Sequence, residues 1–393
     1  MIKVKMYKAK EGDAFLVSLV SDLGNKNILI DMGLSSTYRN EIKKDLLILS
    51  SRGECIDLLI VTHVDKDHIE GVLEFIKENG RDHSIIKVNE IWHNSFKHLQ
   101  FDKVENISDS EVKFLKSIIS ENIPPSSDGK QNISANHGSS LAALLLEFDY
   151  PWNISSAKKA IEINNKQNYV FDGFNIFLLS PDQDKLKKLS DFWERYLNSK
   201  RFNFKISDDI VFNDAFEFFM MNQSLSSVDN DGKKNISATR TFDLESLSKV
   251  DVERKKIDSS PTNGSSIAFI LEFGNRRMLF LGDSHDDIII REIKKRNSSG
   301  EYFDLIKTSH HGSNNNFRTE LCNIITSDKY LISTDGVKYN HPNIEVIAKI
   351  ASKPKYKNIY FNYDHSTFFS VRNESINNGF DYDLSVSNEI IIE

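Results

Sequence analysis

The stretch Leu58-Leu59-Ile60-Val61-Thr62-His63-Val64-Asp65-Lys66-Asp67-His68 decides how this chain reads. Its four consecutive apolar residues have the pattern of a strand buried on both faces. Two imidazoles and two carboxylates follow almost at once. Beyond them Ile69, Val72, Leu73 and Ile76 fall on one helical stripe that ends near Asn79-Gly80. A tight turn between such a strand and such a helix can aim His63, Asp65, Asp67 and His68 into one pocket. Imidazole and carboxylate are suitable donors for zinc, manganese or iron. Asp67 and His68 are adjacent, so they can serve a different ion from His63 and Asp65. The plainer alternative is an acidic, solvated turn with two incidental histidines. The apolar strand before the turn, the amphipathic helix after it and Gly71 one turn into that helix weigh against it.

Working outward, other strand ends carry the same kinds of side chain. Met1–Tyr7, Ala14–Val20 and Asn27–Asp31 read as three short strands, with Glu11-Gly12-Asp13 between the first two and Gly33 just past the third. Val88–Trp92 is a strand ending at His93. Ser265–Phe273 and Arg277–Leu281 read as a hairpin around Gly274-Asn275 that runs into Gly282-Asp283. Phe303–Lys307 leads to Ser309-His310-His311-Gly312-Ser313, Tyr330–Ser333 to Asn340-His341-Pro342, and Asn358–Asn362 to His365. Helices are expected over 110–121, 139–147, 182–199, 288–295 and 344–350. In layered α/β proteins polar sites gather just beyond strand ends, where loops converge. The chain has 11 histidines, and a good share of them stand at such ends.

At 393 residues, 39% hydrophobic and 27% charged, the chain suits one soluble layered α/β domain over residues 1–393. The stretch 222–264 is rich in Ser, Asn, Asp and Lys, and reads as a flexible surface insertion over 222–262. A formal charge of −7 argues against non-specific coating of nucleic acid, while a local basic groove stays open. Cys55 and Cys322 make neither a zinc ribbon nor a disulfide framework and read as two reduced thiols. Met1 opens no signal-like apolar segment, and no apolar run approaches the roughly 20 residues that span a bilayer. The expectation is a cytoplasmic enzyme with no membrane contact.

The order Asp31-Met32-Gly33, His63-x-Asp65-x-Asp67-His68, Gly282-Asp283, His310-His311-Gly312-Ser313 resembles the metallo-β-lactamase superfamily. It looks most like the branch that holds the hydrolase domain of the DNA-uptake competence protein ComEC and its stand-alone bacterial relatives. Glu11-Gly12-Asp13, Asn263-Gly-Ser-Ser and Asn340-His341-Pro342 extend the likeness over nearly the whole chain. ComEC's membrane channel has no counterpart here. The resemblance implies a four-layer αββα sandwich and one or two divalent ions, zinc or manganese. The ligands it implies are His63, Asp65, Asp67, His68, Asp283 and His311.

Two departures stand out. Asp65 replaces the superfamily's usual second histidine, as this branch does, and the separate histidine that completes the first metal site is missing from its place. His93 and His137 are the candidates for it. By the same resemblance, Asp67 orients a metal-activated hydroxide and His310 contacts the transition state or leaving group. Asp31 fixes a ligand histidine, while Asn263, His341 and His365 support the site or touch substrate. The implied reaction is phosphodiester hydrolysis, with nucleic acid as one substrate class. The rivals are an ester, lactone, lactam or phosphocholine-ester hydrolase on the same site, and an effector in a multi-protein system, such as an antiviral defence module, whose 222–262 insertion binds a protein partner.

Overall fold

The computed structural model describes residues 1–22, 24–99, 107–122, 140–200, 209–223, 244–251, 257–339, 341–364 and 379–393. His137, Asn340 and His365 lie outside them. The apolar strand that opens the reading is β4 (Leu58–Ile60), fully buried. It sits in a six-stranded sheet in the order β16 (Glu389–Ile392), β1 (Ile2–Met6), β2 (Phe15–Leu19), β3 (Lys26–Ile30), β4 and β5 (Ile91–Trp92). The second sheet has eight strands. Their order is β15 (Tyr382–Val386), β14 (Lys357–Phe361), β13 (Lys329–Ile332), β11 (Leu305–Lys307), β9 (Arg276–Phe280), β8 (Ala268–Phe273), β7 (Phe174–Ser180) and β6 (Asn168–Phe171). A small parallel pair joins β10 (Glu301–Phe303) to β12 (Ile325–Ser327).

The two sheets face each other across one apolar layer. Val4, Phe15, Val17, Ile28 and Ile60 from the first meet Leu178, Phe269, Met278, Phe280 and Leu331 from the second. The outer face of the first sheet is covered by α1 (Ser35–Thr37), α2 (Lys43–Ser51), α3 (Lys66–Asn79) and α5 (Leu141–Glu147), through residues such as Leu46, Ile69, Val72, Ile76 and Leu145. The outer face of the second is covered by α10 (Asp286–Arg296), α11 (Thr319–Ile324) and α12 (Ile344–Ala351), with Ile289, Leu321 and Ile347 buried beneath. The architecture is the αββα sandwich that the motif order implies. At about 25 cal/mol per Å2, each buried Leu, Ile or Phe contributes about 1.5–3 kcal/mol to it.

Alongside the sandwich is a helical body of α4 (Asp109–Asn122), α6 (Gln183–Ser199) and α7 (Ile210–Gln223). Leu115, Leu186, Leu189, Trp193, Phe212 and Phe216 form its core together with Phe96 and Val64. The start of α6 is fixed by Asp182, whose carboxylate accepts from the Lys185 N–H at 2.8 Å. No helix among the described residues is long and apolar enough to cross a membrane.

Several elements depart from the sequence reading. The strand expected over Val88–Trp92 shrinks to Ile91–Trp92, with Val88 making only an isolated bridge to Ile56. The strand expected over Phe303–Lys307 divides at Asp304, where β10 and β11 join different sheets. α7, β15 and β16 are additional. The flexible insertion expected over 222–262 is corrected at two places. α8 (Leu244–Ser248) packs Leu244 into the second sheet's outer core. Thr262, in α9 (Pro261–Gly264), reaches Asp65 of the turn after β4, and Asp258 is tucked in beside His310. Residues 224–243 and 252–256 of that stretch lie outside the described residues.

Candidate metal centre

The centre is built at the ends of β3, β4, β9 and β11. Just past β3 comes Asp31, whose backbone takes φ 51°. Its carboxylate accepts from Thr62 N and Thr62 Oγ1, both at 2.7 Å, and from His68 Nδ1 at 2.8 Å. Those contacts leave the His68 Nε2 atom facing inward. His63 is treated alike, with Nδ1 3.0 Å from Thr62 Oγ1. His311 donates from Nδ1 to the Ser333 carbonyl at 2.8 Å. Each ring is thus held by Nδ1, and all three Nε2 atoms are buried without a hydrogen-bond partner.

They converge on one carboxylate. Asp283 Oδ2 lies 4.0 Å from His63 Nε2, 3.6 Å from His68 Nε2, 3.4 Å from His311 Nε2 and 3.7 Å from His310 Nε2. Asp65 Oδ2 is 3.6 Å from His63 Nε2, and Asp67 Oδ2 is 4.0 Å from His68 Nε2. Donor atoms of His63, His68 and Asp283, and separately of Asp67, His68 and His311, lie within 4.8 Å of one another. Buried, unpartnered donors cost about 1–3 kcal/mol each if nothing satisfies them. A pocket of inward-facing imidazole nitrogens and carboxylates fits one or more divalent cations by its donor chemistry.

Charge supports the same fit. Burial alone would lower the His68 pKa, but the Asp283 and Asp31 carboxylates outweigh it and hold the ring well above its ordinary value. His311 is likewise carried up against burial to about 10 by Asp283 and Asp13, and His310 to about 8 by Asp283 and Asp258. Burial raises Asp283, yet His311, His310 and His68 pull it well below the usual carboxylate range. The site concentrates negative charge and draws in positive charge, protons included.

Three residues that the sequence reading gave no role complete the arrangement. Asp13, buried in the Glu11-Gly12-Asp13 turn, pairs with the buried Lys307 ammonium and lies 3.4 Å from His311 Nδ1. Lys307 also donates to the Gly282 carbonyl at 3.1 Å and is 3.9 Å from Asp283 Oδ1. This pair ties the first sheet to the second beneath the centre. Its signal in the sequence is a lysine closing an otherwise apolar strand, Leu305-Ile306-Lys307. Gly12 is required by close approach, because a Cβ there would lie 1.8 Å from the Asp67 carbonyl oxygen. Asp258, the third after Asp13 and Lys307, accepts from Asn263 Nδ2 at 2.8 Å and from Asn316 Nδ2 at 2.7 Å, and lies 3.5 Å from His310 Nδ1. Nothing in the polar stretch around it marks it out.

The remaining candidates are placed as follows. His310 is a quarter exposed and stands beside the donor set, its ring 5.3 Å from that of His341. His341 is buried, and burial with the neighbouring His310 and His311 drives its pKa well below the ordinary value. Asn263 reaches Asp258, and nearby Ser266 Oγ accepts from the Asp283 N–H at 3.1 Å. His93 is not brought to this donor set. It is buried at the end of β5 with Nε2 2.8 Å from Glu217 of α7, whose carboxylate also accepts from Ser95. Among the described residues, no further histidine takes the place of the separate one that would complete the first site beside His63 and Asp65. Thr262 Oγ1, 3.3 Å from Asp65 Oδ2, is the neighbour there. Cys55 and Cys322 are both free thiols.

Comparison with known proteins agrees with this geometry. Residues 12–149, about a third of the chain, match the family model described as the metallo-beta-lactamase superfamily. Similar solved structures include the metallo-beta-lactamase fold protein YhfI from Bacillus subtilis, at 9% identity and TM-score 0.38 over 100% of both chains. A mutant of the CmlA beta-hydroxylase is similar at 9% identity and TM-score 0.33, over 99% of this chain and 53% of that one. No curated protein matches the sequence. The matched segment runs from Gly12 through the whole His63–His68 turn, so over residues 12–149 the chain is similar to the metallo-beta-lactamase superfamily model.

Proposed function

We propose that the protein is a metal-dependent hydrolase and that its substrate is a phosphodiester, with nucleic acid the first class to test. The observation that carries the hydrolase reading is the convergence of three unpartnered, buried imidazole nitrogens on Asp283 Oδ2 at 3.4–4.0 Å. His63, His68, Asp283 and His311 would hold the ion, with Asp65 and Asp67 at its side. A divalent cation bound there supplies Lewis acidity and lowers the pKa of water. The residues of the chain do the rest. Asp31 and the Ser333 carbonyl hold His68 and His311 in orientation. Asp67, only partly buried, accepts a proton from the attacking water, and His310 in its imidazolium form donates from the accessible Nε2 to the leaving oxygen while Nδ1 keeps its own proton. The phosphodiester choice is supported by the oxygen-rich donors Asp65, Asp67 and Asp283, which suit manganese as well as zinc, and by the ComEC-like motif order.

Metal-stripped protein reloaded with zinc, manganese or magnesium should cleave bis(p-nitrophenyl) phosphate or single-stranded DNA. The same preparations would be run against ester, lactone and lactam substrates. Turnover of one of those with no phosphodiester cleavage overturns the substrate class. Activity that survives complete metal removal overturns the mechanism.

A further inference from the structure

Asp258 lies behind His310, and the shortest hydrogen bonds around the two fix one another's polarity. A carboxylate accepts and an ammonium donates, so these two groups fix the direction of every bond between them. Asn316 Nδ2 faces only acceptors: Asp258 Oδ2 at 2.7 Å, the Asp283 carbonyl at 3.3 Å and the Ser284 carbonyl at 3.4 Å. The amide oxygen of Asn316 must therefore be the atom that meets His310 Nδ1 at 2.9 Å. An amide oxygen cannot donate, so His310 Nδ1 always carries a proton, and Nε2, turned toward Asp283, is the nitrogen that gains or loses one. On the other side, Lys185 Nζ donates to His285 Nδ1 at 3.0 Å, which leaves the His285 Nε2–H facing Asp258 Oδ1 at 3.6 Å. Asn263 Nδ2 completes the cradle at 2.8 Å from Asp258 Oδ2; Asn263 Nδ2 and Asp258 Oδ2 each also lie 3.5 Å from His310 Nδ1, so the 2.9 Å contact with Asn316 sets the polarity at that atom.

We propose that Asp258 is a positioning residue that acts through Asn316 to fix the tautomer and aim of His310. His310 and His311 follow one another at φ 45° and 55°, in a left-handed conformation that non-glycine residues rarely adopt. That turn sends the two side chains different ways, and each ring is then pinned by its own Nδ1 partner. His311 uses the Ser333 carbonyl and His310 uses Asn316. The arrangement divides the pair between the donor set and the substrate side. It also gives the polar stretch before α9 a role at the site. The assignment of His310 to the reacting side rests on the hydrolase reading, while its tautomer does not.

The test is 15N-histidine NMR on the full-length, zinc-loaded protein, with the His310 signal assigned by its loss in His310→Gln. Wild type should show His310 protonated at Nδ1. Asp258→Asn frees the Asn316 amide to turn, and His310 should then move to the Nε2–H form or a mixture, with zinc content unchanged. Asn316→Ala, a smaller perturbation of the fold, should shift the tautomer in the same way. Where phosphodiester turnover is measurable, kcat should fall about 10- to 100-fold with little change in KM, and Asp258→Asn should add nothing in a His310→Gln background. An unchanged His310 tautomer in both variants overturns the proposal. So does a loss of zinc in Asp258→Asn, or a further loss of activity in the double variant. The NMR result stands whether or not the protein cleaves phosphodiesters.

Discussion

The two halves of the centre are built on opposite plans. The first half puts His63, Asp65, Asp67 and His68 on one turn between a buried strand and a helix, so local chain geometry alone brings them together. The second half supplies Asp258, Asp283, His310 and His311 from three separate loops, and only the packing of the second sheet aligns them. In the first half the supporting carboxylate, Asp31, comes from the neighbouring strand. In the second half Asp258 comes from a stretch with no regular pattern. The contrast teaches that a donor set can be half local and half global, and that the two parts should fail differently.

The largest effect should come from breaking the point where the halves meet. Asp283→Ala removes the carboxylate that faces all four imidazoles. It should release the metal and lower turnover on the order of 10^3-fold, since such ions are worth several kcal/mol in the transition state. Metal content by mass spectrometry and kcat check this, and retention of both would mean the halves do not share a centre. Next is the link beneath it. Lys307→Ala strands the buried Asp13 carboxylate and should cost about 3–5 kcal/mol of stability, read by urea unfolding. A loss under 1 kcal/mol would show that the sheets do not depend on that pair.

Support within the local half should matter less. Asp31→Asn keeps the shape but weakens the hold on His68, for an expected loss of about 10–100-fold in metal affinity, measured by competition with a chelator. An equal loss in Asn316→Ala would erase the contrast between the halves, because Asn316 is inferred to act on His310 alone. The smallest effect is in pH. Without metal, His68 stays protonated above its ordinary range and His311 up to about 10. Cation binding must displace those protons, so affinity should rise as pH rises from about 6.5 toward 10, by up to tenfold per unit for each proton displaced. Calorimetry in buffers of different ionisation enthalpy counts the protons, and a flat profile would remove the carboxylate cluster as their cause.

Legibility follows the same division. The His63–His68 turn, Gly282-Asp283 and His310-His311 could be read because each follows an apolar strand directly. The β4–turn–α3 unit was legible for the same reason, since strand run and helical stripe are contiguous. Lys307 was visible as a charge in an apolar strand, but its partner Asp13 is about three-quarters of the chain away. His93 could be seen at a strand end, yet Glu217, 124 residues later, decides where its ring points. β16 escaped because its pairing with β1 joins the two ends of the described chain. Asp258 escaped because burial made by tertiary packing leaves no periodicity in a run of Ser, Asp and Lys.

Val64 sits between two candidate ligands, and its side chain is sunk in the helical body among Phe96, Leu115, Trp193 and Phe216. The path of the turn is therefore set in part by α6 and α7, which leave the ribosome more than a hundred residues after it. During synthesis the early donors emerge without the wedge that shapes them and without Asp283 or His311. Since chains fold from the N-terminus as they are made, the centre closes late, and a nascent chain exposes its carboxylates to solvent before it can act on anything.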